Sequence, residues 1–157
     1  LRGRYDLSGI DLAREAVESC RGRGLVRTAQ ASVADLPFAD NAFDAVLSCD
    51  VLYHAGVPDV SAAMKEHVRV VRSGGLLLVN LPAYEWLRSS HDVHIHTRAR
   101  FTAAGVRRLF LAARCTPLRI TYWNTALFGP LAAVRLMRKA WPPQGSDLEA
   151  GAASWAA

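Results

Sequence analysis

The spacing of apolar and polar residues changes from strand-like to helical and back several times along the chain. Residues 5–10 read as a short strand. Leu12, Ala16, Val17 and Cys20 then recur at helical spacing, and that stripe stops at Gly22 and Gly24. A weaker strand over 28–33 precedes a turn-rich stretch, Leu36-Pro37-Phe38-Ala39-Asp40-Asn41, and a clear strand over 43–49. Pro58-Asp59 opens a helix with Val60, Met64, Val68 and Val71 on one face, terminated by Ser73-Gly74-Gly75. Residues 76–81 are almost continuously apolar, the pattern of a strand covered on both faces. The second half is less regular. Residues 82–100 read as a loop with one helical turn. Thr102 caps a helix whose inner face is Val106, Leu109, Phe110 and Ala113. A strand is expected over 117–124 and a helix over 126–141, broken near Gly129-Pro130.

Strands separated by helical segments argue for βαβ units and a doubly wound, mostly parallel α/β sheet of Rossmann type. With 157 residues there is room for one core. The pattern divides into a domain over 1–141 and an irregular tail over 142–157. In such sheets ligands sit beyond the carboxyl ends of the strands. The residues to examine are therefore Asp11, Asp35, those after Cys49 and those after Leu81.

Composition narrows the class. Half of the residues are hydrophobic (51%) and 21% are charged, which excludes wholesale disorder. No apolar run reaches the ~18 residues of a membrane-spanning helix. Cys20, Cys49 and Cys115 are odd in number and far apart, which is neither a disulfide framework nor a zinc knuckle and fits a reducing cytosol. Leu1-Arg2-Gly3-Arg4 lacks the apolar core of a signal peptide and reads as a chain entered partway. The charge of +5 is uneven: residues 1–87 carry 9 Lys+Arg against 11 Asp+Glu, and residues 88–157 carry 10 against 3. The basic half could face a polyanion, but its arginines are scattered and lack interleaved aromatics, so no nucleic-acid partner is expected.

At the strand ends the chemistry is suggestive. A carboxylate at Asp11, between strand and helix, can accept both hydroxyls of a ribose. It can equally cap its own helix. Asp35 can accept an exocyclic amine or simply form a turn before Pro37.

In combination these residues say more. Gly9-Ile10-Asp11, then Asp35-Leu36-Pro37-Phe38-Ala39-Asp40-Asn41-Ala42-Phe43-Asp44, then Leu52-Tyr53-His54, then Val68-Arg69-Val70-Val71-Arg72-Ser73-Gly74-Gly75 follow one another ahead of an apolar strand. This series resembles the class I S-adenosylmethionine-dependent methyltransferases of the small-molecule, type 11-like branch. The resemblance covers residues 5–81. Pro82-Ala83-Tyr84-Glu85-Trp86-Leu87, His91-Asp92 and Arg98-Ala99-Arg100-Phe101-Thr102 are similar to a bacterial subgroup. It implies S-adenosylmethionine as cofactor and a small-molecule or lipid-linked acceptor. Asp11 would hold the ribose and Leu12 would pack on the adenosine. Asp35 would accept the adenine amine, with Ala34 and Leu36 flanking the ring. Cys49 and Asp50 would border the methionine part. Tyr53, His54, Tyr84 and His91 would line the acceptor side. For a hydroxyl acceptor His54 would be the general base, or else a ring that shapes the pocket.

The family's Asp-x-Gly-x-Gly-x-Gly segment does not occur in these 157 residues. The resemblance therefore implies a sheet without its first central strand and last edge strand, inactive by itself and poor at binding cofactor. Three rival readings remain. The chain could be a non-catalytic binding module built on the same fold. His91, His94 and His96 could hold a metal, although no metal site is expected. The helix over 126–141, without an acid and with Arg135, Arg138 and Lys139 near one end, could lie on an anionic membrane surface. Oligomeric state is not legible.

Overall fold

A computed structural model describes residues 5–123 and 125–140. Four strands and five helices follow in the order β1 (Gly9–Asp11), α1 (Arg14–Gly22), β2 (Thr28–Gln30), β3 (Phe43–Cys49), α2 (Val60–Val70), β4 (Val71–Asn80), a 3-10 turn (Glu85–Leu87), α3 (Ser90–His94), α4 (Ala103–Ala112) and α5 (Thr125–Ala140). They group into two units, one drawn from Leu1–Leu47 and Asp59–Leu78, the other from Ser48–Pro58 and Val79–Ala157.

In the first unit β1 and β2 pair in parallel, Gly9 with Thr28, Ile10 with Ala29 and Asp11 with Gln30. The second strand pair is β3 with β4. The Asn41 amide donates to the Arg69 carbonyl, and three residues further on Asp44 meets Arg72. The two strands thus run in the same direction. Among the described residues the doubly wound sheet is represented by these two pairs rather than by one continuous sheet.

Helix α2 forms because Asp59 caps it, its carboxylate accepting the amides of Ser61 (2.8 Å) and Ala62 (3.0 Å). Its buried face is Ala63, Met64, His67 and Val70, turned about one residue from the expected Val60–Val68 stripe. Burying His67 is possible because its Nδ1 meets the Ala63 carbonyl at 2.6 Å, and burial lowers its pKa so that it stays neutral.

Several expected boundaries move. The Ser73-Gly74-Gly75 triplet does not end α2; the chain becomes extended at Val71 and the glycines lie inside β4. Gly74 takes a positive φ of 74°, and a side chain on Gly75 would stand 2.8 Å from the Asp44 carbonyl. The glycines therefore serve a close approach between strands. Only one face of β4 is covered, since Leu76 and Leu78 are exposed. Asp11 is the last residue of β1 rather than the first of a helix.

The second unit has its core in Leu52, Tyr53, Val57, Leu87, Phe110, Ala113 and Ala132. Two helical turns, not one, interrupt residues 82–100. Thr102 does cap α4, its hydroxyl accepting the Gly105 amide at 3.2 Å. The strand expected over 117–124 is absent from its described part, 117–123, where side chains rather than a ladder take the polar contacts. The Tyr122 hydroxyl accepts the Ala103 amide and the Trp123 indole donates to Asn80. Helix α5 runs through Pro130 without breaking, at the loss of one backbone hydrogen bond. The tail from 142, Trp141 and the side chains of Leu127, Leu131, Arg138 and Lys139 lie outside the described residues.

Met64 on α2 is 1% exposed. Met64→Ala should cost about 2–4 kcal/mol, to be read as a lower urea midpoint at unchanged slope.

Candidate functional site

The first unit carries one group of expected residues at the carboxyl end of its parallel pair. Asp11 Oδ1 accepts the Ala13 amide at 2.8 Å, closing a turn ahead of α1 and leaving Oδ2 with no partner among the described residues. The N-cap position itself is Ala13. Leu12 is exposed, and its carbonyl accepts the Gln30 side chain at 3.0 Å. After β2 the chain closes a turn in which Asp35 N donates to Ser32 O (3.2 Å) and Ala34 N to Ser32 Oγ (3.2 Å). Asp35 is exposed and its carboxylate accepts nothing from the described residues, whereas Leu36 beside it is buried. The structure thus offers carboxylate oxygens at Asp11 and Asp35 at the end of the sheet where such folds take ligands.

What fixes this turn escaped the sequence reading. All five N–H groups of Arg69 are engaged: two on Glu66 (2.8 Å each), and one each on Phe38 O (2.8 Å), Asp40 Oδ1 (2.8 Å) and Leu36 O (3.0 Å). Glu66 Oε2 in turn accepts the Leu36 amide at 3.0 Å. Hydrogen bonding by Arg69 takes the Glu66 carboxyl down to about 2. An acid and a base three residues apart on α2 were the available signal.

The second unit carries the other group. Cys49 is exposed at the end of β3, and Asp50 follows it with φ of 56°. The Asp50 carboxylate accepts from Asn80 Nδ2 at 2.9 Å, and Asn80 Oδ1 accepts the Trp123 indole at 3.0 Å. Tyr53 is buried, which raises its pKa with help from the nearby Asp50 charge, and it stacks on His54 at 4.7 Å. His54 bridges to Thr97 in the backbone. The hydroxyls of Ser48 and Thr97 are buried and lack a hydrogen-bond partner among the described residues.

Tyr84 sits at φ 58° ahead of the 3-10 turn. An arginine clamp sets that backbone. Arg100 donates to Asp92 Oδ1 (2.9 Å) and to Ala83 O (2.9 Å), while its amide donates to Glu85 Oε2 (3.0 Å). Asp92 is only 1% exposed, with Arg135 3.9 Å away on its other oxygen. Burial raises its pKa, but the Ser89 amide and the Arg100 guanidinium outweigh this and keep it below the usual range. Asp92 is thereby committed to arginines, and no group of three or more metal-ligating side chains stands together among the described residues. The His91 side chain lies outside them. No described helix is long and apolar enough to cross a membrane.

Residues 1–79 match the family model described as "Methyltransferase domain". The uncharacterized protein YafE of Escherichia coli is 40% identical over 77 residues, 48% of this chain and 36% of that protein. The ubiquinone/menaquinone biosynthesis C-methyltransferase UbiE of Sinorhizobium fredii is 40% identical over 77 residues, 47% of this chain and 29% of that protein. The chain thus spans about a third of the length of these curated relatives. A SAM-dependent methyltransferase of Thermotoga maritima superposes with a TM-score of 0.59 at 23% identity, over 67% of this chain and 53% of that one.

Two substitutions check the clamps. Glu66 has a lowered folded-state pKa, so its contribution is present above the unfolded value near 4.5 and fades as pH falls towards 2. Glu66→Gln should therefore lower stability at pH 7 by roughly 1–2 kcal/mol, and its thermal midpoint should converge on that of the parent between pH 5 and pH 2. Asp92→Asn leaves two arginines facing a neutral group in the interior and should cost about 3 kcal/mol, measured by urea unfolding at pH 7.

Proposed function

The chain belongs to the methyltransferase domain family, and from that premise we propose that it serves S-adenosylmethionine-dependent methyl transfer to a small-molecule or lipid-linked acceptor. The observation that carries this reading is the pair of carboxylates, Asp11 and Asp35, held beyond the parallel strands β1 and β2 with oxygens uncommitted to the described residues. Two acceptors of this kind suit the diol and the amine of an adenosine. In the assignment we propose, Asp11 takes the ribose hydroxyls and Leu12, exposed beside it, packs on the adenosine. Asp35 takes the adenine amine while Ala34 and Leu36 flank the ring. The Glu66–Arg69 clamp is what keeps that turn in place.

Cys49 and Asp50 are assigned to the methionine part, and Tyr53, His54, Tyr84 and His91 to the acceptor. When bound, the cofactor supplies a methyl group on a sulfonium. What the chain must then do is mainly positional, because an in-line displacement depends on near-attack geometry. If the acceptor is a hydroxyl, His54 takes its proton as the oxygen–methyl bond forms. We assign turnover to this chain only together with a glycine-rich loop of the family type, which does not occur in the 157 residues. Alone it binds cofactor weakly. Helix α5 leaves Phe128, Val134, Leu136 and Met137 exposed, which favours an apolar or lipid-linked acceptor and a peripheral contact with a membrane surface.

Saturation-transfer NMR reads weak binding directly. With S-adenosylmethionine the adenine and ribose protons should receive saturation from the chain, and Asp11→Ala should weaken binding about five- to tenfold, on the order of 1 kcal/mol. No transfer at millimolar cofactor, or an unchanged Asp11→Ala, would remove the cofactor assignment.

A further inference from the structure

Three aromatic rings of the second unit gather around a fourth, that of Tyr84. Tyr84 stacks on Tyr122 with centroids 5.1 Å apart, and meets Trp86 at 5.9 Å and Phe128 at 5.8 Å. Trp86 and Phe128 close the group edge-to-face at 6.0 Å. Rings that pack this well usually end up inside a core. Yet Trp86 remains 44% exposed and Tyr122 and Phe128 39% each. The group therefore presents ring surface to its surroundings while its members hold each other in place.

Its polar atoms are also arranged. The Tyr122 hydroxyl oxygen accepts the Ala103 amide at 3.0 Å. With its oxygen accepting from the Ala103 amide, the Tyr122 hydroxyl has its own proton to give to a further oxygen. The neighbouring Trp123 indole leads through Asn80 to Asp50.

Two kinds of occupant suit aromatic surface: a flat ring, or an ammonium cation held by π faces. Charge decides between them. Residues 82–140 carry ten Lys+Arg and two Asp+Glu, and both acids are engaged, Glu85 by Arg88 and Asp92 by Arg100. A cation is disfavoured in that field and an acidic hydroxyl is favoured.

We propose that Tyr84, Trp86, Tyr122 and Phe128 form the platform on which a planar aromatic acceptor with an ionisable hydroxyl stacks, Tyr122 donating its hydrogen bond to that hydroxyl's oxygen. The proposal rests on the methyl-transfer reading for the word acceptor, and names the substrate class of the side assigned to Tyr84. The binding surface itself is independent of the cofactor. Asp92 and Arg100, through Ala83, hold Tyr84 in place as positioning residues.

The test is saturation-transfer NMR on the full chain without cofactor, using 4-nitrophenol, nitrobenzene, cyclohexanol and tetramethylammonium as probes. 4-Nitrophenol should bind at least threefold more tightly than nitrobenzene and tenfold more tightly than cyclohexanol or tetramethylammonium. Trp86→Leu and Phe128→Leu, with far-UV circular dichroism unchanged, should each weaken it at least fivefold. Should either leucine variant unfold, Tyr122→Phe keeps the ring, and it should abolish the preference for 4-nitrophenol over nitrobenzene without changing nitrobenzene binding. Absence of 4-nitrophenol binding, equal binding of tetramethylammonium or cyclohexanol, or folded variants that bind unchanged would overturn the platform. If S-adenosylmethionine fails to bind while these results hold, the methyl-transfer reading falls and the aromatic site stands. If the cofactor binds and 4-nitrophenol does not, the reverse is true.

Discussion

A guanidinium brings five donors in a rigid fork, and each of the two units uses one such fork to pin a segment that has no ladder of its own. In the first unit Arg69 spends every N–H on Glu66, Asp40 and the carbonyls of Leu36 and Phe38. In the second, Arg100 ties the Asp92 carboxylate to the Ala83 carbonyl. The second case is the more demanding one. A carboxylate 1% exposed cannot remain charged without close partners, so the geometry of residues 83–101 follows from satisfying it. Arg88 and Arg98 extend the same logic, donating to the carbonyls of Thr97 and Arg98, and of Val57. The abundance of arginine over lysine in the sequence thus has a structural use. A lysine has neither the planar fork nor enough donors to hold two backbone carbonyls and a carboxylate together.

This also explains which parts of the structure were legible in the sequence. Periodicity reports a repeated choice between inside and outside, and it found β3, α2 and α4 to within a few residues. It could not report where a polar side chain replaces a ladder. The segment 117–123 has the composition of a strand, but Tyr122 and Trp123 satisfy their polar atoms on Ala103 and Asn80. Residues 73–75 look like a helix stop because glycine usually is one; here Gly75 instead admits the Asp44 carbonyl. The continuous apolar run of β4 promised two covered faces, and Leu76 and Leu78 are exposed because the described neighbours of that strand cover one. For the candidate site, the positions of Asp11 at a strand end and Asp35 beyond the next strand were readable from the pattern. Glu66 and Arg69 were not, since their role lies in partners about 30 residues distant, and Arg100 was not, since it ties together groups 8 to 17 residues away.

Backbone strain sharpens the picture of where function resides. Glycine accounts for only part of the positive φ values; Asn41, Asp50, Tyr84, His96 and Arg114 share them. Asparagine and aspartate adopt this region at small cost, so Asn41 needs no explanation beyond its turn. Tyr84 is different. A bulky side chain at φ 58° and ψ 109° stores on the order of 1–3 kcal/mol, and persists only where its surroundings over-determine it. They do so on both sides, with Ala83 O held by Arg100 and Tyr84 N donating to Phe101 O at 2.9 Å. The strained backbone delivers the Tyr84 ring against Tyr122. A chain selected for stability alone would relax such a residue to glycine or turn the ring elsewhere. That it does neither, a few residues beyond Asn80, which also holds Asp50, is a physical argument for the proposed acceptor side at this ring.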